Sequence, residues 1–146
     1  MRLAVHGIAI EIDDRGPPEG EPVLLVMGLG MQLLAWPEPF VQSLLARGLR
    51  VIRMDNRDAG LSEDFASLGV PNIAWMGMRH ALHLPVRAPY GLEAMATDAI
   101  GVLDALGIAS AHWVGASMGG MIAQRAALDA PHRVRSLSLM MTTPGA

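Results

Sequence analysis

One serine in the chain is placed so that its hydroxyl could act as a nucleophile. Ser117 lies in Gly115-Ala116-Ser117-Met118-Gly119, a G-x-S-x-G run between a short apolar stretch, His112 to Gly115, and a helical one, Met118 to Ala130. The spacing has a physical reason. A serine at a sharp strand-to-helix bend takes a strained backbone conformation, so its neighbours must be small. Gly115 and Gly119 remove the side chains that would collide. The hydroxyl then projects above the carboxyl edge of the sheet, where open α/β sheets bind ligands. The N–H of Met118 opens the helix; it has no intrahelical acceptor and lies at the positive end of the macrodipole, so it can donate to an oxyanion. A second donor is expected from the loop after an earlier apolar run, Met27-Gly28-Leu29-Gly30. Leu29 N–H is the candidate, with Gly28 and Gly30 letting the backbone turn toward the serine. Two preorganised donors stabilise an oxyanion by roughly 2.7–4 kcal/mol each. Gly28, Leu33 and Trp36 are the candidate substrate contacts. Met31, Leu33, Leu34 and Trp36 either line an apolar pocket beside the loop or belong to the core, and the pattern leaves both open.

Other chemistries are excluded by composition. The chain has 146 residues, no Cys, and only Arg as its basic side chain. It therefore has no disulfide framework, thiolate metal site or thiol nucleophile, and no lysine for a Schiff base or a phosphate loop. A net charge of -3 argues against a nucleic-acid footprint or a basic membrane-surface patch, and 4% aromatic residues leave little stacking surface. The chain is 51% hydrophobic, yet no run approaches the roughly 18 apolar residues of a spanning helix. The N-terminus, MRLAVHGIAIEIDD, lacks the pattern of a signal peptide, so a cytoplasmic location is expected. His80 and His83 stand three apart but have no evident third ligand, so no metal is expected.

The elements that must position Ser117 follow from periodicity. Arg2 to Asp13 alternates around Gly7 and predicts a hairpin. Pro22 to Met27 and Leu49 to Met54 are continuous apolar runs, as in strands buried on both faces. Pro37 to Gly48 and Leu92 to Leu106 have helical spacing, each stopped by glycine. His112 to Gly115 and Val134 to Met141 predict strands, and Met118 to Ala130 a helix closed by Pro131. Phe65 to Tyr90 is irregular. Strands alternating with helices predict a mostly parallel sheet with helices on both faces.

These motifs resemble the α/β-hydrolase family over nearly the whole chain. VLLVMGLG followed by AWPEPF is similar to its oxyanion strand and loop, RVIRMDNRDAGLSE to its D-x-R-G-x-G-x-S segment, and ASAHWVGASMGGMIAQRAALDAPHRVRSLSLM to its nucleophile strand, elbow, helix and following strand. Within the family the chain resembles the branch of aclacinomycin methylesterase, which carries Met-Gly where most members have His-Gly. With Met27 in place of that His, the loop's hydrogen bonding must come from elsewhere. Asp58-Ala59 departs from the commoner pair, with little consequence expected. Asp55 is expected to hydrogen-bond within the DNRDAGLS loop rather than to act in catalysis.

The resemblance implies ester hydrolysis on a small-molecule substrate. Ser117 would attack a carbonyl, the Leu29 and Met118 amides would hold the oxyanion, and water would release the acyl group. No metal or organic cofactor is implied. Perhydrolysis, lactone opening and carbon–carbon bond hydrolysis on the same scaffold remain alternatives, as does a non-catalytic ligand-binding member.

The family's triad runs Ser, acid, His in chain order. After Ser117 the chain offers only Asp129 and His132, and a helix of about 12 residues puts them roughly 18 Å away. They cannot serve. The resemblance therefore implies that residues 1–146 are the N-terminal portion of a single α/β-hydrolase domain, with lid and C-terminal strands absent. The expected partner is a complementary C-terminal half, as a separate chain or as a removed portion. A sheet ending at Val134 to Met141 would expose an edge.

Overall fold

The computed structural model describes residues 1–65, 78–79, 81–82 and 90–144. Strands β1 (Arg2–Val5) and β2 (Ile8–Arg15) form the expected hairpin. Its turn residues, His6 and Gly7, both have positive φ, at 48° and 86°, as a tight hairpin twist demands. Strand β3 (Pro22–Val26) is followed by a 3₁₀ turn at Leu33–Ala35, helix α1 (Glu38–Leu45) and strand β4 (Arg50–Met54). Helix α2 (Leu92–Ala105), strand β5 (Ala111–Ala116), helix α3 (Met118–Asp129) and strand β6 (Val134–Met140) complete the order. The irregular sequence stretch from Phe65 to Tyr90 falls mostly outside the described residues.

The six strands make one sheet in the order β1-β2-β4-β3-β5-β6. It is mixed: β4, β3, β5 and β6 run parallel, and the β1–β2 hairpin adds on antiparallel through β2 and β4. From β3 the chain moves to β4 on one side and then crosses to β5 on the other. The strand order therefore reverses at the carboxyl ends of β3 and β5, which opens a crevice there.

Alternation along the central strands explains their continuous apolar runs. Leu24, Val26, Ile52, Met54 and Trp113 face a core made with Met95, Val102 and Leu103 of α2 and Ile122 and Ala126 of α3. Val23, Leu25, Val51 and Val114 face the other way, toward Val41 of α1 and Trp36. Helices thus cover both faces, and β3, β4 and β5 are buried between them. Strand β6 differs. Beyond Val134 every residue of it is exposed, Leu137, Leu139 and Met140 included. It is the outer strand on its side, as expected for Val134 to Met141.

Candidate active site

Ser117 occupies the single residue between β5 and α3. Its backbone has φ 53° and ψ -123°, and it is exposed. A non-glycine residue enters this region only when its surroundings impose it. Here they do. Ser117 N–H donates to the Met140 carbonyl at 2.9 Å. The Ser117 carbonyl accepts from Gly120 N–H at 2.9 Å and from the Thr142 hydroxyl at 2.7 Å. The main chain is clamped on both sides of the bend. The glycines act as the motif requires. A Cβ on Gly119 would collide with the Val26 carbonyl, and one on Gly115 would lie 2.5 Å from the Gly119 carbonyl oxygen. The start of α3 can therefore press against the end of β3, beside the loop that follows it.

That loop comes up against the serine. A Cβ on Gly28 would stand 3.1 Å from Ser117 Cβ and 3.5 Å from its Oγ, so any side chain there would crowd the serine. Gly28 to Met31 form a tight turn, closed by Met31 N–H donating to the Gly28 carbonyl at 3.3 Å, with Gly30 at φ 67°. In a trans peptide N–H and C=O point opposite ways. With the Gly28 carbonyl turned into the bend, Leu29 N–H is turned out of it. Met118 opens α3, so its N–H has no carbonyl four residues back within the helix. Ser117, Gly28, Leu29 and Met118 thus lie together at the carboxyl edge of the sheet.

The loop is held from β4. Asp55, 2% exposed, accepts from Leu33 N–H at 2.5 Å through Oδ1 and from Leu61 N–H at 2.9 Å through Oδ2. Asn56, 3% exposed, donates from Nδ2 to the Met27 carbonyl at 2.8 Å. These two consecutive residues fix both ends of the turn that carries Leu29. They supply the hydrogen bonding that Met27 itself cannot. Sequence alone ties Asp55 to its own loop; the bond to Leu33 extends that role, and the part played by Asn56 is new.

Asp58 corrects an expectation. Its departure from the family pattern has a clear consequence: at φ 60°, its Oδ1 accepts from Phe65 N–H at 2.5 Å and its Oδ2 accepts from the Tyr90 hydroxyl. Arg57 completes the group. Its guanidinium grips Asp98 of α2 at 2.7 and 2.8 Å and lies over the rings of Phe65 and Tyr90, 5.2 and 5.0 Å from their centroids. Residues 65 and 90 are thereby held together. The Tyr90 phenol is pushed up to about 12, first by burial and then by its bond to Asp58. The Asp98 hydrogen bond raises Arg57 further above its ordinary value, against the effect of burial.

The remaining candidates separate. Trp36 is not brought to the open site: it is buried, and stacks on Phe40 with ring centroids 5.8 Å apart in the core beneath α1. Leu33 is buried and lines a cavity of about 250 Å³ together with Asp55, Leu61 and Leu34, whose described lining does not include Ser117. Leu29, Met31, Leu34 and Leu61 are exposed apolar side chains of the two loops. Asp129 pairs with Arg125 at 2.8 Å at the far end of α3. His80 and His83 lie outside the described residues, and among the described ones no cluster could hold a metal.

A family model for the alpha/beta hydrolase fold matches residues 21–146. The chain belongs to the α/β-hydrolase family. Among the hydrolases it is similar to, rhodomycin D methylesterase DauP from Streptomyces sp. (strain C5) is 40% identical over 126 residues, which cover 86% of this chain and 36% of DauP. The 2-hydroxymuconate semialdehyde hydrolase of Pseudomonas sp. (strain CF600) is 35% identical over 139 residues, covering 94% of this chain and 41% of that hydrolase. The enol-lactonase crystal structure from Burkholderia xenovorans LB400 superposes with a TM-score of 0.76 at 26% identity, over 97% of this chain and 46% of that one. The chain thus spans less than half the length of these hydrolases. Among the described residues no helix is long and apolar enough to cross a membrane.

Proposed function

We propose that this hydrolase cleaves a carboxylic ester of a small molecule through an acyl-enzyme on Ser117. The observation that carries the reading is an exposed serine held at positive φ between strand and helix, with the backbone of Gly28 against it. Ser117 Oγ attacks the carbonyl carbon, and its proton passes to a histidine. The carbonyl electrons move onto oxygen, which the Leu29 and Met118 N–H groups stabilise. The tetrahedral adduct collapses, and the alcohol leaves with that proton. Water then attacks the acyl-serine by the same route and restores the hydroxyl.

The acid and the histidine come, in this proposal, from a C-terminal portion outside residues 1–146. Those residues are then the N-terminal part of a single α/β-hydrolase domain, working in the cytoplasm. Two observations support this. Asp55 spends both carboxylate oxygens on Leu33 and Leu61, and Asp129 is engaged by Arg125 beyond reach of Ser117. The likeness to a methylesterase favours a methyl or other small alkyl ester. Lactone opening is the second reading, favoured by the likeness to an enol-lactonase.

A fluorophosphonate probe tests the mechanism on the complete protein. Labelling at Ser117, its loss in Ser117→Ala, and parallel loss of p-nitrophenyl ester hydrolysis are expected. An unlabelled serine with the complementary portion present would overturn it and leave a non-catalytic ligand-binding member. A panel of open-chain esters against lactones separates the two readings.

A further inference from the structure

We propose that Asn56 is a positioning residue for the oxyanion donor, setting the direction of Leu29 N–H through the Met27 carbonyl; this rests on the serine-hydrolase reading above. Val26 and Met54 are register partners, so Met27 and Asn56 leave adjacent parallel strands nearly side by side. The Asn56 side chain crosses between them and donates to the Met27 carbonyl at 2.8 Å. Holding that carbonyl fixes the peptide plane between Met27 and Gly28. The next peptide carries Leu29 N–H. Two glycines, Gly28 and Gly30, flank Leu29, and glycine tolerates many backbone directions. Without an anchor at its start, the turn has freedom to rotate the amide away from the serine.

The amide's orientation is settled by chemistry. Flipped, Oδ1 would face the Met27 oxygen, two acceptors in contact with no proton between them. As placed, Nδ2 is used, while Oδ1 is buried with no hydrogen-bond partner. A buried acceptor without a partner is unfavourable, and an apolar side chain would fill the space without stranding one. Asn56 is explained by its donor. Its main chain is separately secured, since Ala59 N–H donates to the Asn56 carbonyl at 3.0 Å. Loss of the side-chain donor therefore acts mainly on the Met27 side.

The test uses the complete, hydrolytically active protein. Asn56→Ala removes the donor; Asn56→Asp keeps the shape and places a carboxylate oxygen against the Met27 oxygen. Because misplaced catalytic groups lose on the order of 100-fold in rate, both variants are expected to lower kcat by roughly 10- to 100-fold with KM within about threefold. Asn56→Asp carries a further signature. Burial raises a carboxyl pKa, so as pH falls the acid protonates and regains an O–H to donate to Met27. Its kcat, as a ratio to the parent protein at each pH, is expected to climb toward acid. The Asn56→Ala ratio stays flat. The proposal is overturned if folded Asn56→Ala keeps kcat within about twofold of the parent, or if the Asn56→Asp ratio does not change with pH. Should Asn56→Ala fail to fold, Asn56→Asp decides alone. Ser117→Ala in the same assay separates the two claims: if it stays active the serine mechanism falls, and if it is dead while the Asn56 variants are unimpaired, only the positioning role falls.

Discussion

Ser117 holds φ at 53° because Met140, Gly120 and Thr142 bond its main chain on either side. Such a conformation costs a side chain roughly 1–3 kcal/mol. Glycine adopts it freely. Ser117→Gly is therefore expected to raise the unfolding free energy by about 1 kcal/mol while abolishing probe labelling. Ser117→Ala keeps the Cβ, so it loses labelling without that gain. Denaturant melts of the three proteins check this; equal stability of the glycine and alanine variants would show that the bend is unstrained. The same residues show where sequence reasoning stops. Ser117, Met118 and Leu29 are readable because the signal is local: small neighbours, a strand before, a helix after. Asp55 is readable only for its bond within its own loop, to Leu61, and Asn56 is not readable at all, because the partners Leu33 and Met27 lie 22 and 29 positions away. Only the pairing of β3 with β4 brings them together. In sequence Asn56 is one polar residue among several in a loop. Trp36 fails for the converse reason: an indole beside the oxyanion loop suits a pocket and a core equally, and the seating of α1 decides for the core.

At the level of elements, each strand and helix expected from periodicity is found, with ends shifted by at most three residues, the largest shift at the C-terminal end of α1. Periodicity reports burial, and the central strands are buried on both faces. It carries no signal for how α2 is fastened to the loop after β4. That fastening is ionic. Asp98 is almost fully buried on α2, and its partner Arg57 is mostly buried, with 13% of its side chain exposed. Removing one member of a buried pair strands the other, at about 3–5 kcal/mol. Asp98→Ala is expected to lose about 3 kcal/mol in urea unfolding, and Asp98→Asn, which still accepts from the guanidinium, less. A loss below about 1 kcal/mol, the scale of a surface pair, would mean that the pair is solvated. Tyr90 reports on the same junction, and it is the sole tyrosine of the chain. Burial, then the Asp58 bond, raise its phenol to about 12 in the folded state, against about 10 unfolded. The folded form then binds the extra proton between those values. The stabilisation is complete below about pH 10 and is lost as pH rises through about 12. The phenolate absorbance of Tyr90 is expected to appear only toward pH 12 in the native protein and near 10 in denaturant. Replacing Asp58 with Ala lowers the native midpoint; an unchanged midpoint would leave burial as the whole cause.

Across the whole molecule, cover is uneven. Strands β3, β4 and β5 lie between two layers of helix, whereas β6 has a single strand neighbour and carries Leu137, Leu139 and Met140 in the open, followed by Met141 at 88% exposure. An uncovered outer strand with apolar side chains is a template for pairing with another chain. At the carboxyl edge beside it, Leu29, Met31, Leu34 and Leu61 add further exposed apolar surface. If the acid and histidine arrive with a C-terminal portion, the same portion has to cover this surface, because Ser117 and the end of β6 are tied to each other by Ser117 N–H and the Met140 carbonyl. Completion of the site and completion of the sheet are then one event. Residues 1–146 expressed alone are expected to self-associate, to leave β6 amides open to hydrogen exchange, and to show no ester hydrolysis. Supplying the complementary portion is expected to protect the β6 amides and to switch on Ser117 labelling at the same stoichiometry. Size-exclusion, amide exchange and probe labelling along one titration check this. A soluble monomer of residues 1–146 with full esterase activity would refute it, because it would place the base for Ser117 inside the chain, where Asp129 at the end of α3 and His132 in the 3₁₀ turn after it cannot provide it.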